Sequence, residues 1–276
     1  MNHRLRSVLP GLLLLLLPLL FLPLAGCMTE LEPGPANHVF AHRGASGEAT
    51  EHSRAAYDLA LAEVAQWLEQ DLVLSADGTL YVSHDKTPER MTGETRPFAE
   101  LTDKEIDALR TADGQKILKL RDVFAAYRKK AGFVVEVREI EQVEPLFALI
   151  EEFGLEERMI LQAWNTPALK AMQERCPTVR RMLLVKTQNG INWACIEDSV
   201  EIVAIEKPLM TEFNCSWIHQ HGKEICVWTL NSEEELRRAI GLNVDCYFTD
   251  FPARALALEA ERVEPTEADG TAETGG

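Results

Sequence analysis

Trp67-Leu68-Glu69-Gln70-Asp71-Leu72-Val73-Leu74, then Ser75-Ala76-Asp77-Gly78-Thr79, then Leu80-Tyr81-Val82-Ser83-His84, is the stretch on which the fold turns. Two strand-like runs, Leu68–Leu74 and Leu80–His84, are separated only by a short turn-forming segment. Parallel neighbours need a crossover of a dozen or more residues, so these two are antiparallel or one stands outside the main sheet. On either side the chain alternates. Further candidate strands are Val39–His42, Phe133–Val137, Met159–Ala163, Arg181–Val185, Glu201–Ile205, Ile225–Thr229 and Cys246–Thr249. Between most of them, Glu51–Val64, Leu101–Leu109, Val143–Phe153, Pro167–Glu174, Met210–His221 and Ser232–Ile240 repeat apolar residues at three and four, the spacing of a half-buried helix. Strand–helix alternation on this scale predicts a parallel α/β fold, either an eightfold barrel or a doubly wound sheet. Gly44-Ala45-Ser46-Gly47 after the first strand is not GxGxxG, which weighs against a dinucleotide-binding sheet.

The 276 residues are 46% hydrophobic and 26% charged, an ordinary globular composition with ample material for a core. A net charge of −16 argues against gripping nucleic acid through its phosphates. An anionic substrate would need a local positive charge, such as a metal ion or a few arginines. Residues 1–27 read as a targeting segment: Arg4 and Arg6 precede the leucine-rich run Leu9–Leu24, which ends Leu24-Ala25-Gly26-Cys27. The run is broken by prolines and is short of the roughly 20 residues a membrane helix needs. Its end is similar to the lipobox of bacterial lipoproteins, which implies lipidation of Cys27. The expectation is an extracytoplasmic protein held at the outer membrane or cell surface by an N-terminal lipid anchor. Residues 28–37 read as a spacer, 38–258 as the folded domain and 259–276 as a disordered acidic tail. None of Cys176, Cys195, Cys215, Cys226 and Cys246 has CxxC spacing, so zinc is not expected. Cys226 and Cys246, in strand-like runs, read as small buried side chains.

The chemistry gathers at strand ends. The first strand ends His42-Arg43-Gly44, the second holds Glu69-Gln70-Asp71, the third ends His84-Asp85, and the next holds Glu136-Val137-Arg138. Residues i and i+2 of a strand share a face, so Glu69 pairs with Asp71 and Glu136 with Arg138. Carboxylates amid apolar residues are costly unless paired or bound to a cation. Three of them on neighbouring strands form an oxygen-rich site for a hard divalent ion, Mg²⁺ or Ca²⁺. Glu69 and Asp71 could instead lie on a solvated face, but Gln70 would then face the core with Leu68 and Leu72. Arg138 could simply neutralise Glu136.

Taken in order, His42-Arg43-Gly44-Ala45, Glu69-x-Asp71, Asp77-Gly78 and His84-Asp85 resemble the glycerophosphodiester phosphodiesterase family. The resemblance continues through Glu136-Val137-Arg138, Val227-Trp228-Thr229-Leu230-Asn231 and Thr249-Asp250-Phe251-Pro252, covering roughly 38–255. It implies a TIM-type (β/α)8 barrel of the phospholipase C-like phosphodiesterase kind. It also implies hydrolysis of glycerophosphodiesters to glycerol 3-phosphate and an alcohol. Carried over, Glu69, Asp71 and Glu136 would hold the metal, and His42 and His84 would be general acid and base. Arg43 would grip the phosphate, with Arg138 where the family usually has lysine, and Trp228 would pack against the glycerol or head group. In parts of the family the second histidine is a metal ligand, which leaves that alternative open for His84. The family's Pro-Glu-Asn-Thr is here Thr50-Glu51-His52-Ser53, with His52 read as a helix-start residue. Its Ser-Phe-Asp is Ala163-Trp164-Asn165, and Arg90–Leu120 is short for the usual covering insertion. A phospholipase D-like lysolipid hydrolase and a non-catalytic, surface-anchored binding lipoprotein are the alternatives.

Overall fold

The computed structural model describes residues 39–263. The targeting segment, Cys27, the spacer and the tail from 264 onward lie outside the described residues. The strands are β1 (Val39–Ala41), β2 (Trp67–Leu74), β3 (Leu80–Val82), β4 (Gly132–Val137), β5 (Met159–Ala163), β6 (Arg180–Val185), β7 (Ile202–Glu206), β8 (Glu224–Trp228) and β9 (Cys246–Thr249). All but β3 run parallel, in the order β1-β9-β8-β7-β6-β5-β4-β2, and β1 also pairs with β2. That last pairing closes eight strands into a barrel and excludes a doubly wound sheet. β3 hangs antiparallel on the far half of β2, Leu72 opposite Val82 and Leu74 opposite Leu80. The short Ser75–Thr79 link allows nothing else.

Side-chain alternation divides each strand between two cores. Phe40, Val134, Ile160, Met182, Cys226 and Phe248 belong to the cluster that fills the barrel interior. Phe40 packs edge-on against Phe248, with ring centroids 5.2 Å apart, and against Trp67 at 5.9 Å. Residues of the opposite parity, such as Ala41, Leu68, Leu72, Val135, Leu161 and Val203, belong to the larger cluster under the helices. Fully burying one such side chain stabilises the fold by roughly 1.5–3 kcal/mol. The interior parity carries on past the apolar plug, so Glu69, Asp71, Glu136, Gln162, Trp164 and Trp228 arrive at the C-terminal mouth. His42 follows β1 on that same parity.

The helices lie between the strands. Val143–Phe153 matches its periodicity, whereas the first helix is Arg54–Ala62. It starts after Glu51 because Ser53 is its N-cap, accepting from the Ala56 N–H. The turn before it packs so closely that a β-carbon on Gly44 would meet the Ala56 carbonyl carbon at 2.7 Å, and Gly44 has φ +86°. Leu120–Tyr127, Gln188–Ile196 and Pro252–Val263 are helices beyond the six expected. The last carries through Glu259–Val263, which composition assigned to the tail. Ala and Glu are strong helix formers, and Ala255 and Leu258 give this helix a buried face. Cys176, Cys195, Cys215, Cys226 and Cys246 are free and buried. Among the described residues no helix is long and apolar enough to cross a membrane.

Candidate active site

At the barrel mouth a cavity of about 160 Å³ is lined by His42, Arg43, Glu69, Asp71, His84 and Glu136 on one side. Gln162, Trp164, Leu184, Trp228, Thr229 and Phe248 complete its wall. His42, the first residue after β1, places Nδ1 2.6 Å from Asp250 Oδ1. Asp250 also accepts from Ser46 Oγ at 2.9 Å and Asn231 Nδ2 at 2.6 Å. Burial alone would lift the Asp250 carboxyl, but the hydrogen bonds from His42, Asn231 and Ser46 outweigh it and bring it to about 2. An ionised carboxylate only accepts, so Nδ1 of His42 carries the proton and Nε2 is left to serve the cavity. His84 repeats the arrangement. Its Nδ1 lies 2.8 Å from Asp85 Oδ1, and Asp85 Oδ2 accepts from Arg90 Nε at 2.6 Å. Burial raises the Asp85 carboxyl, but the bonds from His84 and Arg90 bring it below its ordinary value.

The carboxylates line the same cavity as the two imidazoles. Glu69 and Asp71 are almost wholly buried, and Glu136 nearly so. Glu69 accepts from the Arg43 backbone N–H at 2.9 Å and from Gln162 Nε2 at 3.3 Å. Burial, reinforced by the negative charges of Asp71 and Glu136, pushes its carboxyl well above the usual range. Glu136 is raised by burial and by Asp71, against the pull of Arg138 and of Trp164 Nε1, which donates to it at 3.2 Å. Asp71 goes the other way. Burial would raise it, but His52, Arg138 and Arg43 together hold it well below the usual range.

Arg138 lies on the face of Glu136 that its spacing gives, and pairs with that acid as the spacing allowed. Its Nε donates to Glu136 at 2.5 Å and its Nη2 to Asp71 at 2.6 Å, while Nη1 bonds the His84 carbonyl. It ties the acids and the His84 loop together, rather than lining the cavity as a phosphate ligand. Arg43 does line the cavity, with Nη1 3.3 Å from Glu51 and Nε 3.3 Å from Asp71. His52 is a correction of another kind. It does not start the helix, a role Ser53 takes, but is buried at φ +55°. Its Nδ1 meets Tyr57 Oη at 2.9 Å and its Nε2 meets Asp71 Oδ2 at 3.0 Å. Burial lowers its pKa.

Donor atoms of His52, Glu69 and Asp71 all lie within 4.8 Å of one another. Three buried acids face two guanidiniums, and burial, with the charges of Asp71 and Glu136, raises the Glu69 carboxyl. A donor set of carboxylate oxygens with one imidazole fits a hard divalent cation. Spacing on strands pointed to Glu69, Asp71 and Glu136; the first two stand in this cluster, and Glu136 lines the same cavity outside it. Spacing could not find His52, which reaches the site from a loop.

The Glycerophosphoryl diester phosphodiesterase family is matched over residues 42–254. The chain belongs to this family. A glycerophosphodiester phosphodiesterase of Caldanaerobacter subterraneus subsp. tengcongensis is 28% identical over 237 residues, covering 80% of this chain and 96% of the relative. One from Bacillus altitudinis is 26% identical over 240 residues, covering 81% and 98%. The solved structure of an Oleispira antarctica phosphodiesterase, in complex with the product sn-glycerol-3-phosphate, superposes with a TM-score of 0.74. It is 20% identical and covers 81% of this chain and 96% of that one, a likeness of fold. Within the family pattern, Asp250 and Asn231 sit in the Thr249–Pro252 and Val227–Asn231 motifs. Their part in orienting His42 needed the fold to be seen.

Proposed function

We propose that the chain hydrolyses glycerophosphodiesters to glycerol 3-phosphate and an alcohol. The observation that carries this is a pair of imidazoles, each braced at Nδ1 by its own carboxylate, sharing one cavity with three buried acids. His42 and His84 act as acid and base. One takes a proton from the attacking water as its oxygen bonds phosphorus. The other delivers a proton to the alkoxide released when the phosphorus–oxygen ester bond breaks. The base takes its proton on Nε2 and the acid gives one up from Nε2, roles an imidazole side chain can exchange. Asp250 and Asp85 hold each ring in the tautomer the chemistry needs. Glu69, Asp71 and Glu136, with His52 beside them, would hold a Ca²⁺ or Mg²⁺ ion. When bound, the ion supplies positive charge at the phosphate and lowers the pKa of an adjacent water. Arg43, on the cavity wall, is placed to offer its guanidinium to a non-bridging oxygen. The intact pair of braced histidines argues against a purely binding role for the barrel.

Purified protein incubated with glycerophosphodiesters is expected to release glycerol 3-phosphate. Release should stop with EDTA and return with Ca²⁺ or Mg²⁺. No product from any such diester with either metal would overturn the catalytic reading.

We infer as well that Cys27 carries a lipid and holds the domain at a membrane outside the cytoplasm. Leu24-Ala25-Gly26-Cys27 after the leucine run supports this. Multiple acyl chains give stable anchoring at about 0.8 kcal/mol per buried methylene. Expression with radioactive palmitate should label the chain, and Cys27→Ser should not be labelled. Equal labelling of both forms would refute the assignment.

A further inference from the structure

The cavity has two unlike walls. His42, Glu69, Asp71 and His84 form the one that handles phosphate and glycerol hydroxyls. Trp164, Leu184, Trp228 and Phe248 form the other, whose apolar faces suit the alcohol arm of a diester better than its charged phosphate. The two indoles meet edge to face, with centroids 5.6 Å apart and planes at 83°. Trp164 is 41% exposed, so the pair opens to solvent at the mouth. Lys186 follows β6 on the parity of Met182 and Leu184, which points it toward that mouth. Its Nζ stands 4.7 Å from the Trp164 centroid and 5.3 Å from that of Trp228. Among the described residues no carboxylate is ion-paired with it. Glu206, which ends the neighbouring β7, is not bonded to it.

An ammonium is drawn to aromatic faces by the ring quadrupole, and converging aromatic faces recognise quaternary ammonium ligands the same way. Here the faces already carry a cation that belongs to the protein. We propose that Lys186 is a specificity-determining residue that reads the charge of the alcohol group. It disfavours cationic alcohols such as choline on the Trp164–Trp228 wall and favours alcohols bearing an anionic group, such as a second phosphate. The assignment rests on the phosphodiesterase reading of the same site. Unit charges a few ångströms apart near a protein surface interact strongly enough to shift selectivity on the order of tenfold.

The test compares kcat/KM for glycerophosphocholine, glycerophosphoglycerol and a glycerophosphoinositol phosphate in wild type, Lys186→Met and Lys186→Arg. Lys186→Met should raise the value for the choline diester and lower it for the inositol phosphate diester. The ratio should move on the order of tenfold, with the neutral glycerol diester unchanged. Lys186→Arg should keep the wild-type ratio. A ratio in Lys186→Met within twofold of wild type overturns the role of Lys186 while leaving the activity intact. Hydrolysis of none of the three by the wild type defeats the phosphodiesterase reading, and this inference with it.

Discussion

His42→Ala should lower kcat by about 10²- to 10⁴-fold, the share general acid–base catalysis commonly supplies. The imidazole sits at the cavity edge with its far nitrogen braced by Asp250, and no other described side chain takes up that place. Asp250 would retain Ser46 and Asn231 as donors, so the barrel should stay folded. Asp250→Asn tests the same point from behind. An amide can present its NH₂ to Nδ1 and so trap the wrong tautomer, and a large fall in kcat with little change in KM is expected. Both variants should be compared by glycerol 3-phosphate release under saturating metal, with circular dichroism confirming the fold. Activity in His42→Ala within tenfold of wild type would remove His42 from the chemistry.

The second large effect is on stability. Arg138 touches Asp71, Glu136 and the His84 carbonyl at once, and less than a fifth of its side chain is exposed. Arg138→Met leaves two buried carboxylates without that partner. Breaking a buried ion pair from one side costs roughly 3–5 kcal/mol, so Tm measured in EDTA at pH 7 should fall on the order of 10 °C. The sign of the pH dependence follows. Without the guanidinium the Asp71 and Glu136 pKa values rise, and protonation then removes the uncompensated charge. The deficit should therefore shrink as the pH is lowered toward 5. Arg138→Lys should lose less, since it keeps the charge but not the three-way fork. A Tm within 2 °C of wild type in Arg138→Met would show that the acids are balanced by other groups.

The strand-borne half of the site was legible because strands have a strict period. Glu69 and Asp71 two apart in an apolar run, and Glu136 in the next, had to share an interior face or be buried at a cost. The antiparallel β3 was legible from the length of Ser75–Thr79 alone. Loop residues carry no such rule. His52 enters through a left-handed turn that neither periodicity nor residue type announces. Spacing placed Arg138 on the correct face but could not say that its fork would close on two acids instead of a phosphate. Trp164, expected by default in the core or at the barrel mouth, is at the mouth, because β5 ends one residue before it. Leu120–Tyr127 was legible too, since Leu120, Val123, Phe124 and Tyr127 stand three and four apart, whereas Gln188–Ile196 opens on polar residues.

His42 and Asp250 are separated by 208 positions, yet hydrogen-bond directly because β1 pairs with β9. The earliest strand made therefore waits, unpaired on one edge, until nearly the whole polypeptide has emerged. A chain halted or clipped before Cys246 has neither the seat for β1 nor the carboxylate that aligns its imidazole. The seat of β1 and the brace on His42 are thus both supplied by one late segment, Cys246–Asp250.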